Sequence, residues 1–288
     1  MLKNKKIIIT IIVLVFIGLI LLYSRFIATS GLKIKEYKVV DTGLSDNFYG
    51  LKIAHITDLH YGRTVNEKQL KVIVDKINLT KPDIVVLTGD LIDRDTKLEN
   101  RDIIILKNEL NRIVAKLGKY AIEGNHDAVF SDWVNIISGS NFTDLNNTYE
   151  LIYQDTLEPI LITGVSSNIM YTTPIEEKMK DVNAYYASLN ETSIKPSFNI
   201  LLVHEPDFID QIDITNYNLV LAGHSHNGQV RFPLFGSILL PKGATKYYDE
   251  HYIINDVPMY ISSGIGTSVL NFRLFNKPSF NLYRIVNK

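Results

Sequence analysis

Three kinds of apolar spacing divide the chain. Residues 7–23 form one uncharged, almost wholly apolar stretch. From residue 51 onward, short unbroken apolar runs alternate with stretches whose apolar positions recur every three or four residues. The runs at 51–57, 84–87, 120–123, 198–203 and 219–222 have strand length. That at 84–87 is rich in β-branched residues, which predicts a strand buried on both faces, as in a parallel sheet covered by helices. Residues 66–79 carry Leu70, Ile73, Val74 and Ile77 at helical spacing, and 103–117 predict a second helix closed by Gly118. Between 130 and 195 the pattern blurs, with strands expected at 149–153 and 160–165 and a helix over 174–189. About the last seventy residues alternate short runs with Gly and Pro turns, which predicts β structure.

The residues that close the strand runs matter more than the runs. The one at 84–87 stops at Gly89-Asp90, a sharp turn that sets a carboxylate at the carboxyl end of a strand. Open α/β sheets bind ligands at that edge. One Gly-Asp is ordinary turn chemistry, but the arrangement repeats. Five runs end at Asp58 and His60, at Asp90 and Asp93, at Asn125, His126 and Asp127, at His204, and at His224 and His226. Five of the seven histidines fall there; His55 and His251 do not, and read as core or surface residues. The pairs Asp58/His60 and His224/His226 are two apart, which puts both side chains on one side of an extended segment. With Asp90, Asn125 and His204 between them they supply seven ligands. One ion takes about four to six, so the expectation is two ions. Asp90, in the middle with two oxygens, is the natural bridge. Two dications outweigh the ligating carboxylates and leave a positive pocket suited to phosphate. Such a pair clamps the attacking and leaving oxygens of an in-line phosphoryl displacement.

Composition narrows the choice. The chain has 288 residues, a formal charge of −1 and no cysteine. Disulfides and thiolate sites are excluded, and any metal is held by nitrogen and oxygen. No basic stripe speaks for nucleic acid. Lys3, Lys5 and Lys6 precede the apolar stretch, which as a helix is about 25 Å long, enough to span a bilayer. An uncleaved anchor is expected rather than a signal peptide, whose apolar core is shorter. The lysines favour an inward N-terminus and an outward domain, although Arg25, Lys33 and Lys35 weaken that asymmetry. The expected plan is a cytoplasmic segment 1–6, an anchor 7–23, a linker and first strand 24–45, and one domain 46–288. The protein would then be a single-pass protein of the cell membrane with an extracytoplasmic domain.

The five segments resemble, in order, the signature of the calcineurin-like metallophosphoesterases: Asp-x-His, Gly-Asp-x-x-Asp, Gly-Asn-His-Asp, a lone His and Gly-His-x-His. The segments at His204-Glu205-Pro206-Asp207 and 223–231 are most similar to a membrane-associated or secreted bacterial branch, that of the YkuE- and YaeI-like phosphodiesterases. Ser225 and Asn227 stand where Thr and Gly are expected; neither change removes a ligand. The resemblance implies a four-layer α/β/β/α sandwich of two mixed sheets, here preceded by the transmembrane helix. It implies that Asp58, His60, Asp90 and His226 hold one divalent ion, and Asp90, Asn125, His204 and His224 the other. His126 would face the scissile phosphate as general acid or charge stabiliser, with Asp127 orienting it. Asp93 and Arg94 would hold the loop by a local salt bridge or touch substrate. Manganese is the first expectation for the metal, with zinc, iron or cobalt as alternatives. The reaction implied is attack of metal-bound hydroxide on a phosphate ester, a phosphodiester of a lipid, wall polymer or other envelope component. The alternatives are a UDP-2,3-diacylglucosamine-type lipid pyrophosphatase and a non-catalytic, metal-dependent envelope binding protein. No substrate-binding residue is assigned.

Overall fold

The computed structural model describes residues 2–237 and 239–288. Met1, which belongs to the short segment expected before the apolar span, and Ile238 lie outside the described residues. Helix α1 (Leu2–Leu22) runs on through one π-helical turn, Tyr23–Ile27. The helix Asn4–Ile27 is long and apolar enough to cross a membrane, and almost none of it is buried by the rest of the chain. Its end is the exception, since Ser24 and Ala28 are buried.

Two six-stranded mixed sheets follow. The first is built from β1 (Lys33–Val40), β2 (Lys52–Ile56), β3 (Ile84–Thr88), β4 (Lys119–Ile122), the short β5 (Thr143–Asp144) and the last strand of the chain. The second takes β6 (Thr148–Ile152), β7 (Ile160–Val165), β8 (Phe198–Val203) and β9 (Leu219–Ala222). A small hairpin, β10 (Arg231–Phe232) and β11 (Gly236–Ser237), separates these from β12 (His251–Ile254) and β13 (Val257–Ile261), which complete the second sheet; β14 (Ser279–Val286) closes the first. The spatial orders are β1-β14-β2-β3-β4-β5 and β12-β13-β9-β8-β7-β6. β2 to β5 run parallel, as do β7, β8, β9 and β13.

Alternation along each strand sorts the core into three layers. In β3, Ile84 and Val86 face the second sheet, whereas Val85 and Leu87 face the helices α2 (Glu67–Leu79), α3 (Asn100–Asn111) and α4 (Trp133–Gly139). In β8, Ile200 and Leu202 face the first sheet, and Leu201 and Val203 face the opposite side, which α5 (Ile175–Lys178) and α6 (Lys180–Ser188) cover. Helices, sheet, sheet and helices therefore stack as four layers, with the central strands β3, β4, β7, β8 and β9 buried on both faces.

Two helices differ from expectation. α3 stops at Asn111, six residues short of 117. The Asn78 side chain, at the end of α2, takes up Arg112 O (2.8 Å) and Val114 N (2.9 Å), which offers the backbone a partner other than the next turn. Gly118 is thus not a helix cap; it takes φ 121° beneath the Tyr120 ring. The expected helix 174–189 is two helices that break at Met179, where Lys178 turns inward to the carbonyls of Ser166 (3.0 Å) and Ser167 (2.9 Å).

Candidate metal centre

Asp58, His60, Asp90, Asn125, His126, Asp127, His204, His224 and His226 are all buried, at or just beyond the carboxyl ends of β2, β3, β4, β8 and β9. The pairs two apart do not converge through strand pleat. β2 ends at Ile56 and β9 at Ala222, and the pairs that follow are in left-handed backbone: φ is 52° at Asp58, 50° at His60, 63° at His224 and 48° at His226. Asp90 joins them at 52°. Non-glycine residues avoid this region, and its concentration in five candidate ligands marks strain held by the surroundings. Asn227 also takes φ 48°, which explains why a glycine position tolerates asparagine.

The loops hold one another. His60 N donates to Asp90 O at 3.0 Å, His126 N to Asp90 Oδ1 at 2.8 Å, and His224 N to both Asp58 carboxylate oxygens at 3.1 Å. Gly89 and Gly124 make this approach possible. A Cβ on Gly89 would strike the backbone of Gly124, and one on Gly124 would strike Asp90.

Two groups of donors result. Asp58, His60 and His226 each present an atom within 4.8 Å of the others, as do Asp90, His204 and His224. Asp90 Oδ2 is 3.7 Å from His60 Nε2, and its Oδ1 is 3.3 Å from His204 Nε2, so one carboxylate reaches both groups. Asn125 Oδ1 lies 3.2 Å from His204 Nε2. His126 also falls within 4.8 Å of atoms of His60 and Asp90.

A cation fits these residues on two grounds. The Nδ1 of His204 lies 2.6 Å from Thr88 O, so its proton is committed there. The Nε2 of His204 then points at two lone-pair bearers, Asn125 Oδ1 and Asp90 Oδ1, so the place between them takes a positive charge, either a proton on Nε2 or a metal ion. Likewise His60 Nε2 faces His226 Nε2 at 3.1 Å. Acceptors that face acceptors need a positive charge between them. The protonation equilibria say the same. Burial alone would keep His204 neutral and Asp90 protonated, yet each partner outweighs it: His204 is held well above the usual imidazole range and Asp90 well below the carboxylate range. His226 is driven well below its ordinary value by burial, then by His60 and Arg273, which leaves its lone pair free.

The structure reassigns the support of His126. Asp127 does not orient the ring: its carboxylate accepts from Ile92 N and Gly124 N, both at 3.0 Å, and pins the β4 loop to the β3 loop. His126 Nδ1 instead accepts from Arg94 N at 3.1 Å and lies 3.5 Å from Asp93. Nor do Asp93 and Arg94 form the expected local salt bridge. Asp93 is fully buried, 3.6 Å from Arg63 and 3.2 Å from His60 Nδ1, and among the described residues neither that nitrogen nor Asp93 Oδ2 has an aligned hydrogen-bond partner. Burial pushes His126 down to about 4 and Asp127 up to about 7.

Two residues have roles that the sequence reading did not assign. Arg273 is fully buried against His226, and Glu205, beside His204, ties down the loop at Ser167 and Asn168. Both are near-invisible in sequence, because a lone Arg or Glu carries no spacing signal. Above Asp90, His224 and His226 opens a cleft of about 320 Å³, walled by Leu239, Leu240, Pro241, Val269 and Leu270.

Residues 51–228 match the calcineurin-like phosphoesterase family over more than half of the chain. The protein belongs to that family. It is a metallophosphoesterase, a hydrolase acting on phosphoric ester bonds. The uncharacterized metallophosphoesterase YkuE of Bacillus subtilis strain 168 is 30% identical over 272 residues, 91% of this chain and 88% of its own length. The UDP-2,3-diacylglucosamine pyrophosphatase LpxG of Chlamydia trachomatis is 28% identical over 222 residues, 65% of this chain and 67% of its own. Among solved structures, TT1561 of Thermus thermophilus aligns with 75% of this chain and 90% of its own, at a TM-score of 0.50 and 14% identity. That likeness speaks to the fold alone.

Proposed function

We propose that the protein is a membrane-anchored, two-metal phosphoesterase whose substrate is a phosphodiester of a lipid or other cell-envelope component. The observation that carries this reading is the pair of donor groups joined by Asp90. In it, Asp58, His60, Asp90 and His226 hold one divalent ion, manganese in the first instance, and Asp90, Asn125, His204 and His224 hold the second. Two such ions would supply Lewis acidity toward the phosphoryl oxygens and make hydroxide available near neutral pH.

The residues of the chain do the rest. His126 is neutral and accepts Arg94 N–H at Nδ1, so its own proton is on Nε2. From there it donates to a phosphoryl or leaving oxygen, which stabilises charge as the ester bond breaks. The Asp93 carboxylate lies 3.2 Å from His60 Nδ1 and 3.5 Å from His126 Nδ1, where its negative charge favours protonation of both rings. The apolar cleft walls shed water and receive the part of the substrate that is not phosphate.

A second reading is favoured by the similarity to LpxG: hydrolysis of the pyrophosphate of a UDP-linked diacylglucosamine. The topology expected from Lys3, Lys5 and Lys6 opposes it, since nucleotide-linked lipids are made on the cytoplasmic face. Metal-stripped protein reloaded with Mn²⁺ should be assayed on a chromogenic phosphodiester and on UDP-2,3-diacylglucosamine. Turnover of the diester, lost on stripping and regained on reloading, is the expected result. Release of UMP alone would move the assignment to the second reading, and no turnover of either would remove the phosphodiesterase assignment.

A further inference from the structure

The two segments that wall the cleft, the β10–β11 hairpin with residues 239–240 and the loop 268–275, carry Leu234, Phe235, Leu239, Val269, Leu270 and Phe275, all exposed; Leu234 is fully so and Phe235 83% so. Single exposed apolar residues are ordinary, but six on two adjoining loops around one opening are not. Leu234, Val269 and Phe275 also hold positive φ (75°, 51° and 52°), a conformation that bulky side chains avoid, valine most of all. Packing within the chain does not explain this, because all three stand clear of it.

These loops are continuous with the end of α1. Arg273 N donates to Ser24 O at 3.0 Å. The next residue, Leu274, accepts from Arg231 N at 2.9 Å and donates to Gln229 O, at the start of the β10–β11 hairpin. The Gln229 amide reaches back to Leu270 O at 2.7 Å. Hydrogen bonds therefore run unbroken from the end of the apolar helix through one loop into the other. Where α1 leaves the bilayer, at Tyr23, Arg25 and Phe26, it brings side chains that favour the lipid–water boundary. The cleft loops start one hydrogen bond away.

We propose that both loops lie in the headgroup and upper acyl region of the bilayer that holds α1, so that the metal centre opens onto the membrane surface. The inference rests on the anchoring reading above, and it deepens the substrate assignment. The apolar part of the substrate stays in the lipid along Leu239, Leu240, Val269 and Leu270, and only its phosphoester rises to Asp90.

The absence of cysteine permits a direct test with single-cysteine variants of the full chain. Phe235→Cys and Val269→Cys report on the two loops. Phe16→Cys reports on α1, and Leu157→Cys, in the turn that enters β7 at the far end of the second sheet, serves as the water-exposed reference. Each is labelled with a polarity-sensitive fluorophore and reconstituted into phosphatidylcholine–phosphatidylglycerol vesicles with or without doxyl-labelled lipid. Blue-shifted emission and quenching at 235 and 269 as at 16, with neither at 157, is the expected result. Quenching at 16 but not at 235 or 269 would overturn the membrane-facing cleft and leave the anchor standing. No quenching at 16 would overturn both. Disulfide-linked dimers of the unlabelled Phe235→Cys variant, without quenching of its labelled form, would make the face a contact between copies and overturn the proposal as well.

Discussion

Arg273 Nη2 stands 3.5 Å from His226 Nδ1, and the same nitrogen donates to the carbonyls of Ser263 (2.8 Å), Gly264 (3.0 Å) and Gly266 (2.5 Å). A buried guanidinium thus gathers the backbone turn that backs a candidate metal ligand. Burial lowers it to about 9, which still leaves it charged at neutral pH. Its charge helps to keep His226 unprotonated. Arg273→Met keeps much of the side-chain length but strands the buried carbonyls of Ser263 and Gly266, while Gly264 O keeps Ser279 N, at a cost of at least about 2 kcal/mol. Chemical denaturation should register that loss, together with weaker metal binding. An unchanged denaturation midpoint would show that the turn does not depend on Arg273.

His126→Ala tests the division between chemistry and metal holding. Turnover should fall by roughly 10²–10⁴-fold, the usual scale for a positioned proton donor, with metal content near that of the parent. Loss of one metal equivalent would make His126 a ligand.

Asp93→Asn separates the two candidates for supporting His126 and His60. Because the buried Asp93 carboxylate lies 3.2 Å from His60 Nδ1 and 3.5 Å from His126 Nδ1, the variant should bind metal about 10–100-fold more weakly and turn over more slowly. Asp127→Asn should act differently. It keeps one acceptor for the two backbone amides, and should lower the thermal midpoint more than the metal affinity. Titration with Mn²⁺ and thermal unfolding of both variants check the contrast; equal metal affinities would refute it.

The sequence was most legible where chemistry and burial coincide. The runs at 198–203 and 219–222 match β8 and β9 residue for residue, because both strands are buried on both faces. The Asp and His residues that follow these runs lie buried within reach of one another in the structure. What stayed hidden depends on tertiary partners: the early end of α3, set by Asn78, and the break at Met179, beside inward-turned Lys178. The left-handed backbone at Asp58 and His60 was hidden too, since neither residue type announces it.

His55 gives the fold a pH dependence of known sign. It is wholly buried beside Thr88 Oγ1 (2.7 Å), and burial lowers it to about 3 from an ordinary value near 6.5. Below about 6.5 the unfolded chain binds this proton and the folded one does not. The contribution is therefore complete above pH 6.5 and declines as pH falls toward 3, by up to about 5 kcal/mol. Urea unfolding of metal-free protein between pH 7 and 4 should show a steep acid limb that His55→Gln makes shallower. Parallel limbs in the two proteins would contradict the buried neutral imidazole.

Asp90 reaches both donor groups, through Oδ2 to His60 and Oδ1 to His204, so its substitution tests the two-metal centre most directly. Asp90→Asn preserves shape but removes a charge and one of the two acceptor oxygens a bridge needs. The measurement is metal per protein by elemental analysis, with the phosphodiesterase rate recorded alongside. The parent is expected to hold two equivalents and the variant one or fewer, with a steep loss of rate that excess Mn²⁺ restores only in part. Two equivalents in the variant, at the parent's affinity, would contradict the bridge.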